Sequence, residues 1–294
     1  MKIAVVGARG QLGAAIVQEL RSAVDHAVVP LDRTALDVTQ ADAVERLMTE
    51  LAPDAIINCT GYNAVDAAEE HQVDALRTNG LAVRSLARAA KALDAVLVHY
   101  GSDFVFDGKV DRPHVEDEPP NPQSVYAASK MLGEWFARDA PRSYVLRVES
   151  LFGFVPGGPA PRGSVAGIVK GLRSGSVVKV FEDRTVSPTY VPDAAAATRQ
   201  LLERRAPFGT YHCVNSGCCT WLEFAYEAAR LLDIEPRLEA VRAAEAQLRA
   251  TRPLYCAMSN EKLRSVGILM PTWQDALARS LRDDDGNERS DRER

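Results

Sequence analysis

The chain predicts an α/β fold whose first half is a doubly wound parallel sheet, followed by a small C-terminal α/β domain. Three observations carry that expectation. Short β-rich runs alternate with amphipathic helical segments from residue 2 to about residue 148. The runs are nearly continuous in Val, Ile and Leu, as in strands covered on both faces. Three glycines, Gly7, Gly10 and Gly13, directly follow the first run at the mouth of the first helical segment.

In order, "KIAVVG" reads as a strand and "QLGAAIVQELRS" as a helix. "HAVVPLD", "AIINCTG", "AVLVHYGS" and "SYVLRVES" are the next strands. "TQADAVERLMTELAP", "ALRTNGLAVRSLARAAKAL" and a segment from Tyr126 are the helices between them. After about residue 150 the alternation fades into the Gly/Pro-rich "GFVPGGPAPRGS", the helix "VAGIVKGLRSG" and a strand-and-loop stretch. Asp193 is placed to cap "AAAATRQLLERR", "GTYHCVN" is another strand, and Thr220 with Glu223 forms a capping-box pattern. Residues 282–294 contain no apolar side chain and are expected to be disordered.

Composition narrows the function classes. The net charge of −5 over 294 residues argues against a nucleic-acid partner. No apolar run approaches the roughly 18 residues of a membrane span, and the N-terminal run is broken by glycines and an arginine, unlike a signal peptide. Five cysteines without an export signal point to reduced thiols and a cytoplasmic location. His212, Cys213, Cys218 and Cys219 cluster, but no C-x-x-C pair is present, so no metal site is expected.

The stretch "VVGARGQLG" spaces its glycines G-x-x-G-x-x-G. A tight turn, close backbone approach and free N–H groups at a helix N-terminus are what a pyrophosphate requires. Gly7, Arg9, Gly10, Gln11, Leu12 and Gly13 therefore form a Rossmann-like dinucleotide loop. Asp32, ending the second strand, suits ribose hydroxyls and NADH, whereas Arg33 and Arg9 suit a 2′-phosphate and NADPH. Both cofactors stay open.

Ser102 and Asp103 follow the strand "AVLVHYGS", at the strand end where ligands of parallel sheets gather. In "VYAASKMLGE", Tyr126 and Lys130 share a helix face four residues apart. Glycine loop, strand-end serine and Tyr-x-x-x-Lys come in the order used by short-chain dehydrogenases/reductases. Tyr126 would exchange a proton at a carbonyl oxygen, Lys130 would lower its pKa and Ser102 would orient the carbonyl. Lowering a phenol by three units needs about 4 kcal/mol. An ammonium at about 4 Å, with an effective dielectric near 20, supplies a similar amount.

The segments "VVGARGQLG", "NCTGYNAVDAAEE", "TNGLAV", "VHYGSDFVFDG", "VYAASKMLGE", "SPTYVPDAA" and "GTYHCVN" resemble the dTDP-4-dehydrorhamnose reductase family over roughly residues 1–280. The resemblance implies a dinucleotide-binding domain of residues 1–150 plus about 184–213, and a substrate domain of about 151–183 and 214–281. It implies hydride transfer from NADPH or NADH to the C4 ketone of a nucleotide-linked 4-keto-6-deoxysugar, with a homodimer among the possible assemblies. Ser102 replaces the usual threonine, while Tyr126 and Lys130 match. Asp37, Val38, Cys59, Thr60, Gly61 and Asn79 join the cofactor site, Asn79 by supporting the active-site strand. Asp103, Val105, Glu149, Ser150, Arg184 and Arg252 fall to the substrate, Arg252 near its phosphates.

Departures cluster on the sugar side. Glu149 and Ser150 stand where Ser and Trp are usual, Arg184 and Val186 break the pattern D-Q-x-G-x-P-T, and Ser164 replaces an Asn. These leave the sugar open. A sugar-nucleotide epimerase and a non-catalytic nucleotide-binding regulatory subunit of the same fold are the alternatives. A 4,6-dehydratase would place a second carboxylate after Asp103, where Phe104 stands. His99 is expected to be packed or hydrogen-bonded, and Asp66, Glu69 and Glu70 to form a solvated acidic face. Trp135 and Phe136 would pack the core or a subunit contact.

Overall fold

The computed structural model describes residues 1–292 apart from Val24 and Gly157, with side chains through Asp284. Elements follow in the order β1 (Lys2–Val6), α1 (Gln11–Ser22), β2 (Ala27–Leu31), α2 (Ala41–Leu51) and β3 (Ala55–Asn58). Then come α3 (Val65–Ala68), α4 (Gln72–Leu76), a π-helical turn (Arg77–Leu81), α5 (Ala82–Ala92) and β4 (Val96–Ser102). A 3₁₀ turn (Asp103–Val105), α6 (Val125–Ala137), β5 (Ser143–Val148), β6 (Leu151–Phe152) and α7 (Ser164–Arg173) continue the chain. Next are β7 (Val178–Phe181), β8 (Thr185–Val186), β9 (Thr189–Tyr190), α8 (Val191–Arg204), β10 (Gly209–His212) and β11 (Cys219–Thr220). The last are α9 (Trp221–Leu232), β12 (Leu238–Val241), α10 (Glu261–Ser265) and α11 (Trp273–Arg292).

Six strands form one parallel sheet in the order β10-β5-β4-β3-β1-β2. The chain leaves β1 outward to β2 and returns on the other side to β3, so the crevice between the ends of β1 and β3 is a topological switch point. Every residue of β3 and β4 is buried, whereas β2, at the edge, buries only Leu31. One apolar layer joins Ile3, Val5, Ile57 and Val98 to α1 and α8; the opposite layer joins Ala4, Ile56 and Leu97 to α2 and α5. Leu263, Ile268 and Met270, assigned from sequence to the substrate domain, pack in the first of these layers.

A separate core of Phe152, Trp221, Phe224, Trp273 and Leu277 organises the smaller unit. The strand pairs β6–β9, β7–β12 and β8–β11 edge it. Thr220 and Glu223 make the expected reciprocal cap of α9, worth about 1 kcal/mol. Asp193 does not cap α8. That helix starts earlier, at Val191, and the Asp193 carboxylate instead pairs with Arg279 and accepts from Asn215. The tail expected to be disordered is instead helical through Arg292, because α11 is nucleated by Ala276, Leu277 and Leu281 in the core and extension costs little. Residues 293–294 lie outside the described residues.

Candidate active site

At the switch point Gly7 adopts φ +81°, and a Cβ there would stand 3.0 Å from backbone atoms of Cys59 and Thr60. The bare backbone therefore lets β1 and β3 close on each other. Gly10 heads α1 with no side-chain cap, leaving that helix's first N–H groups free for an anion. Gly13 plays a different part from the one expected. It lines neither of the two clefts of this site; a Cβ on it would meet the Gly7 carbonyl oxygen at 2.2 Å, so it seats α1 against the loop. Gln11 Nε2 donates to the Gly153 carbonyl at 2.9 Å and ties the loop to the smaller unit.

A cleft of about 360 Å³ runs from Gly7 and Gly10 past Cys59, Thr60 and Gly61. Asp32, Arg33, Asp37 and Val38 line its far end. Asp32 Oδ1 accepts from the Thr34 N–H, the Thr34 hydroxyl and the Ala35 N–H, while Oδ2 meets Arg9 Nε at 2.7 Å. These donors, Thr34 foremost, hold its carboxyl low. Asp37 is tied down in the same way by Thr39. Asn79 lines neither this cleft nor the neighbouring one. From the π turn it brackets the Tyr62 backbone and donates to Ser129 Oγ at 2.9 Å, so it fixes a loop and α6 rather than the active-site strand.

A second cavity, of about 530 Å³, shares Gly10, Cys59 and Thr60 with the first and reaches the end of β4. Ser102, Asp103, Tyr126 and Lys130 all line it. Ser102 Oγ donates to Asp103 Oδ1 at 2.9 Å. Burial, with Asp103 adding to it, raises the Tyr126 phenol above its ordinary range, and the Ser102 hydroxyl opposes this. Lys130 does not lower it: its Nζ donates to the Tyr100 carbonyl at 2.6 Å. Burial brings Lys130 itself down to about 8, with Glu134 one turn along the helix pulling the other way. The i+4 spacing placed both side chains on one face, but the strand carbonyl captures the ammonium.

Of the residues assigned to the substrate, Ser150 (φ +45°), Arg184 and Arg252 line this cavity. Arg252 is held by Asp66 through a bidentate pair at 2.8 and 2.7 Å. Val105 and Glu149 do not line it. Val105 is consumed by a buried apolar cluster with Phe106, Val214 and Met258. Glu149 stands behind Asp103 and accepts the Ser187 N–H at 2.6 Å. Burial pushes Asp103 up to about 6, and burial with the Asp103 charge pushes Glu149 well above the carboxylate range.

The family model of the RmlD substrate binding domain matches residues 1–285. The chain belongs to this family. The dTDP-4-dehydrorhamnose reductase of Streptomyces griseus is 33% identical over 288 residues, covering 94% of this chain and 92% of that protein. A spore coat polysaccharide biosynthesis protein of Bacillus subtilis is 30% identical, covering 96% and 97%. The crystal structure of dTDP-4-dehydrorhamnose reductase from Bacillus anthracis in complex with NADP superposes with a TM-score of 0.90, at 30% identity over 96% of this chain and 99% of that one.

Within this RmlD-type framework some residues were not legible beforehand. Phe104, Asn63, Leu151 and Trp221 line the reaction cavity. Trp221 follows the α9 cap, and only its place after the capping box hinted at a fixed position. The acidic face is solvated at Glu70, as expected, but also paired: Asp66 holds Arg252 and two backbone N–H groups, Glu69 accepts from the Val125 N–H, and Glu70 meets Arg249. His99 is buried, with Nδ1 3.2 Å from the Asn58 amide. Trp135 is 64% exposed and stacks on Phe136, so it is not core. Among the described residues the one group with metal-ligating geometry is Asp103, Glu149 and Cys256; the sequence cluster at 212–219 does not assemble. No described helix is long and apolar enough to cross a membrane.

Proposed function

We propose that the protein reduces the C4 ketone of a nucleotide-linked 4-keto-6-deoxysugar, using NADPH or NADH. The observation that carries the reading is the convergence of Ser102, Tyr126 and Lys130 in one cavity continuous with the glycine turn. The free N–H groups behind Gly10 and the close backbone approach at Gly7 fit a dinucleotide's diphosphate. Arg9, Asp32 and Arg33 would meet the adenosine ribose, and Lys130 the nicotinamide ribose. The reduced nicotinamide, when bound, supplies hydride to the carbonyl carbon.

The chain's own residues handle the proton. Tyr126 is a neutral phenol throughout the neutral range because burial disfavours its anion. It is an acid strong enough for an alkoxide and too weak to lose its proton to water, which suits the reductive direction. Ser102 orients the carbonyl from the opposite side, and the Tyr126 ring is held edge-on by Phe104 at 5.4 Å. The test is oxidation of NADPH and NADH with dTDP-4-keto-6-deoxysugar as substrate. Tyr126→Phe should lower kcat by about 10²–10⁴ while cofactor affinity holds. Full turnover by that variant overturns the assignment.

A further inference from the structure

On the reading just given, each reduction removes a proton from Tyr126, and another group must return it. Lys130 is turned to the Tyr100 carbonyl. On the other side of the phenol stands Ser102, whose hydroxyl already points at Asp103 Oδ1. Behind Asp103, one carboxylate oxygen of Asp103, one of Glu149 and the Cys256 sulfur lie within 4.8 Å of one another. Asp103 is 4% and Glu149 2% exposed, and Glu149 Oε1 has no hydrogen-bond partner at all.

The groups facing this pair are few. Tyr126 of α6, Cys256 and Arg184 face Asp103; Arg184, Cys219, Tyr255 and Cys256 face Glu149. Only Arg184 is a cation, and its Nε and Nη2 are spent on the Pro253 carbonyl and the Cys256 sulfur. One guanidinium offsets one carboxylate. Two buried carboxylates this close do not both ionise at neutral pH, so the pair retains one proton.

We propose that Asp103 and Glu149 hold one proton between them, and that it travels through Ser102 to re-form the Tyr126 phenol after each reduction. The Tyr126 O–H bond breaks as the sugar alkoxide takes its proton. The Ser102 hydroxyl then turns from Asp103 to the phenolate and gives up its proton there, and the Asp103 carboxyl proton bonds to the Ser102 Oγ so exposed. The pair, now fully ionised, regains a proton from water in the cavity that Asp103 lines. Glu149 is a positioning residue: its charge keeps the proton on the pair.

Glu149→Gln preserves shape and an acceptor for the Ser187 N–H but removes the charge. Rapid-mixing oxidation of NADPH is followed over about pH 6 to 10, with NADPH affinity and melting temperature confirming that the variant is folded. In the native enzyme the steady-state rate holds while the pair carries its proton and falls above its upper titration. In Glu149→Gln that alkaline limb moves down by about one pH unit or more, because Asp103 has lost its like-charged neighbour. The first turnover, which uses the proton already on Tyr126, keeps its native rate. Later turnovers slow about tenfold above the limb, leaving a burst of one NADPH per site.

An unmoved limb, or first and later turnovers slowed equally, overturns the proposal. So does stoichiometric binding of Zn²⁺ or Mn²⁺ that Glu149→Gln abolishes, which would make the group a cation site. Should Glu149→Gln fold poorly, Glu149→Ser is put to the same burst measurement. A fully active Tyr126→Phe strikes the reductase reading itself; an inactive Tyr126→Phe with an unmoved limb strikes only the relay.

Discussion

Glu134→Gln tests how α6 is held in place. Tyr126, Lys130 and Glu134 lie at i, i+4 and i+8, and Glu134 is clamped to β5 by Arg147, each residue 1% exposed. Arg147 Nε reaches both carboxylate oxygens at 3.1 Å and Nη2 reaches Oε2 at 2.9 Å. Gly101 of β4 leaves room for this: a Cβ there would stand 2.3 Å from Glu134 Oε1. Removing the carboxylate charge takes a buried guanidinium's direct partner, leaving it His212 at 3.4 Å, the Phe106 ring at 5.0 Å and the more distant Glu116 carboxylate. Breaking such a pair costs about 3–5 kcal/mol, and a glutamine that still accepts a hydrogen bond puts the loss near 3. At about 2.1 cal/mol/K per residue over 294 residues, the unfolding entropy is about 0.6 kcal/mol/K, so the melting temperature should fall by about 5 °C. Scanning calorimetry reads this directly. Arg138→Ala is the control, since Arg138 approaches Glu134 only at 3.7 Å from an exposed position and should cost under about 1 kcal/mol. A Glu134→Gln loss no larger than the control's would refute the account of a buried pair.

Lys130→Met should trade activity for stability. Lys130 titrates near 8 when folded against 10.5 for the free side chain, so the unfolded chain binds the extra proton between those values. The burial penalty is thus fully present below pH 8 and fades as pH rises to about 10.5; it amounts to about 3 kcal/mol, less about 1 for the lost bond to Tyr100. Calorimetry at pH 7 should show the variant about 3 °C more stable and the difference closing by pH 10, with turnover lost; a less stable variant at pH 7 contradicts the sign. Gly13→Ala forces a methyl to 2.2 Å from the Gly7 oxygen and should weaken cofactor binding at least about tenfold in a fluorescence titration; unchanged affinity would show that the loop is not a phosphate cradle. Asp32→Ala frees Arg9 and removes a carboxylate from the far end of the cleft, so the NADPH-to-NADH preference should rise about tenfold in kcat/KM, and an unchanged ratio would place that end away from the 2′ position.

The sheet was legible because its signals are local and mutually consistent. Strands β1, β3 and β4 read as apolar runs because both faces are covered, and the three glycines announced the turn because only glycine fits where Cys59, Thr60 and the Gly7 carbonyl press in. Residue types alone named Ser102, Tyr126 and Lys130. What they could not supply was which acceptor each polar group meets. Helical spacing fixed the face of Lys130, but the nearest acceptor belongs to β4, thirty residues earlier in the chain, and burial then reversed the expected electrostatics of Tyr126. The pairing of the acidic run at 66–70 was hidden for the same reason, since Arg249 and Arg252 arrive from the far end of the sequence.

The departures from the family pattern show the same limit from the other side. Read separately, Glu149 in place of a serine and Arg184 in place of a glutamine are two unrelated changes toward the sugar. In space they are one electrostatic unit with Asp103 and Cys256. A second carboxyl buried beside Asp103 raises the energy of ionising either, and a buried guanidinium at 184 offsets part of that cost. Neither change is neutral without the other. Arg184 alone would pull the Asp103 titration down; Glu149 alone would leave two acids with no nearby cation to offset either. Together they keep one proton on the carboxyl pair next to Ser102, in a cavity whose reaction consumes a proton at every turnover.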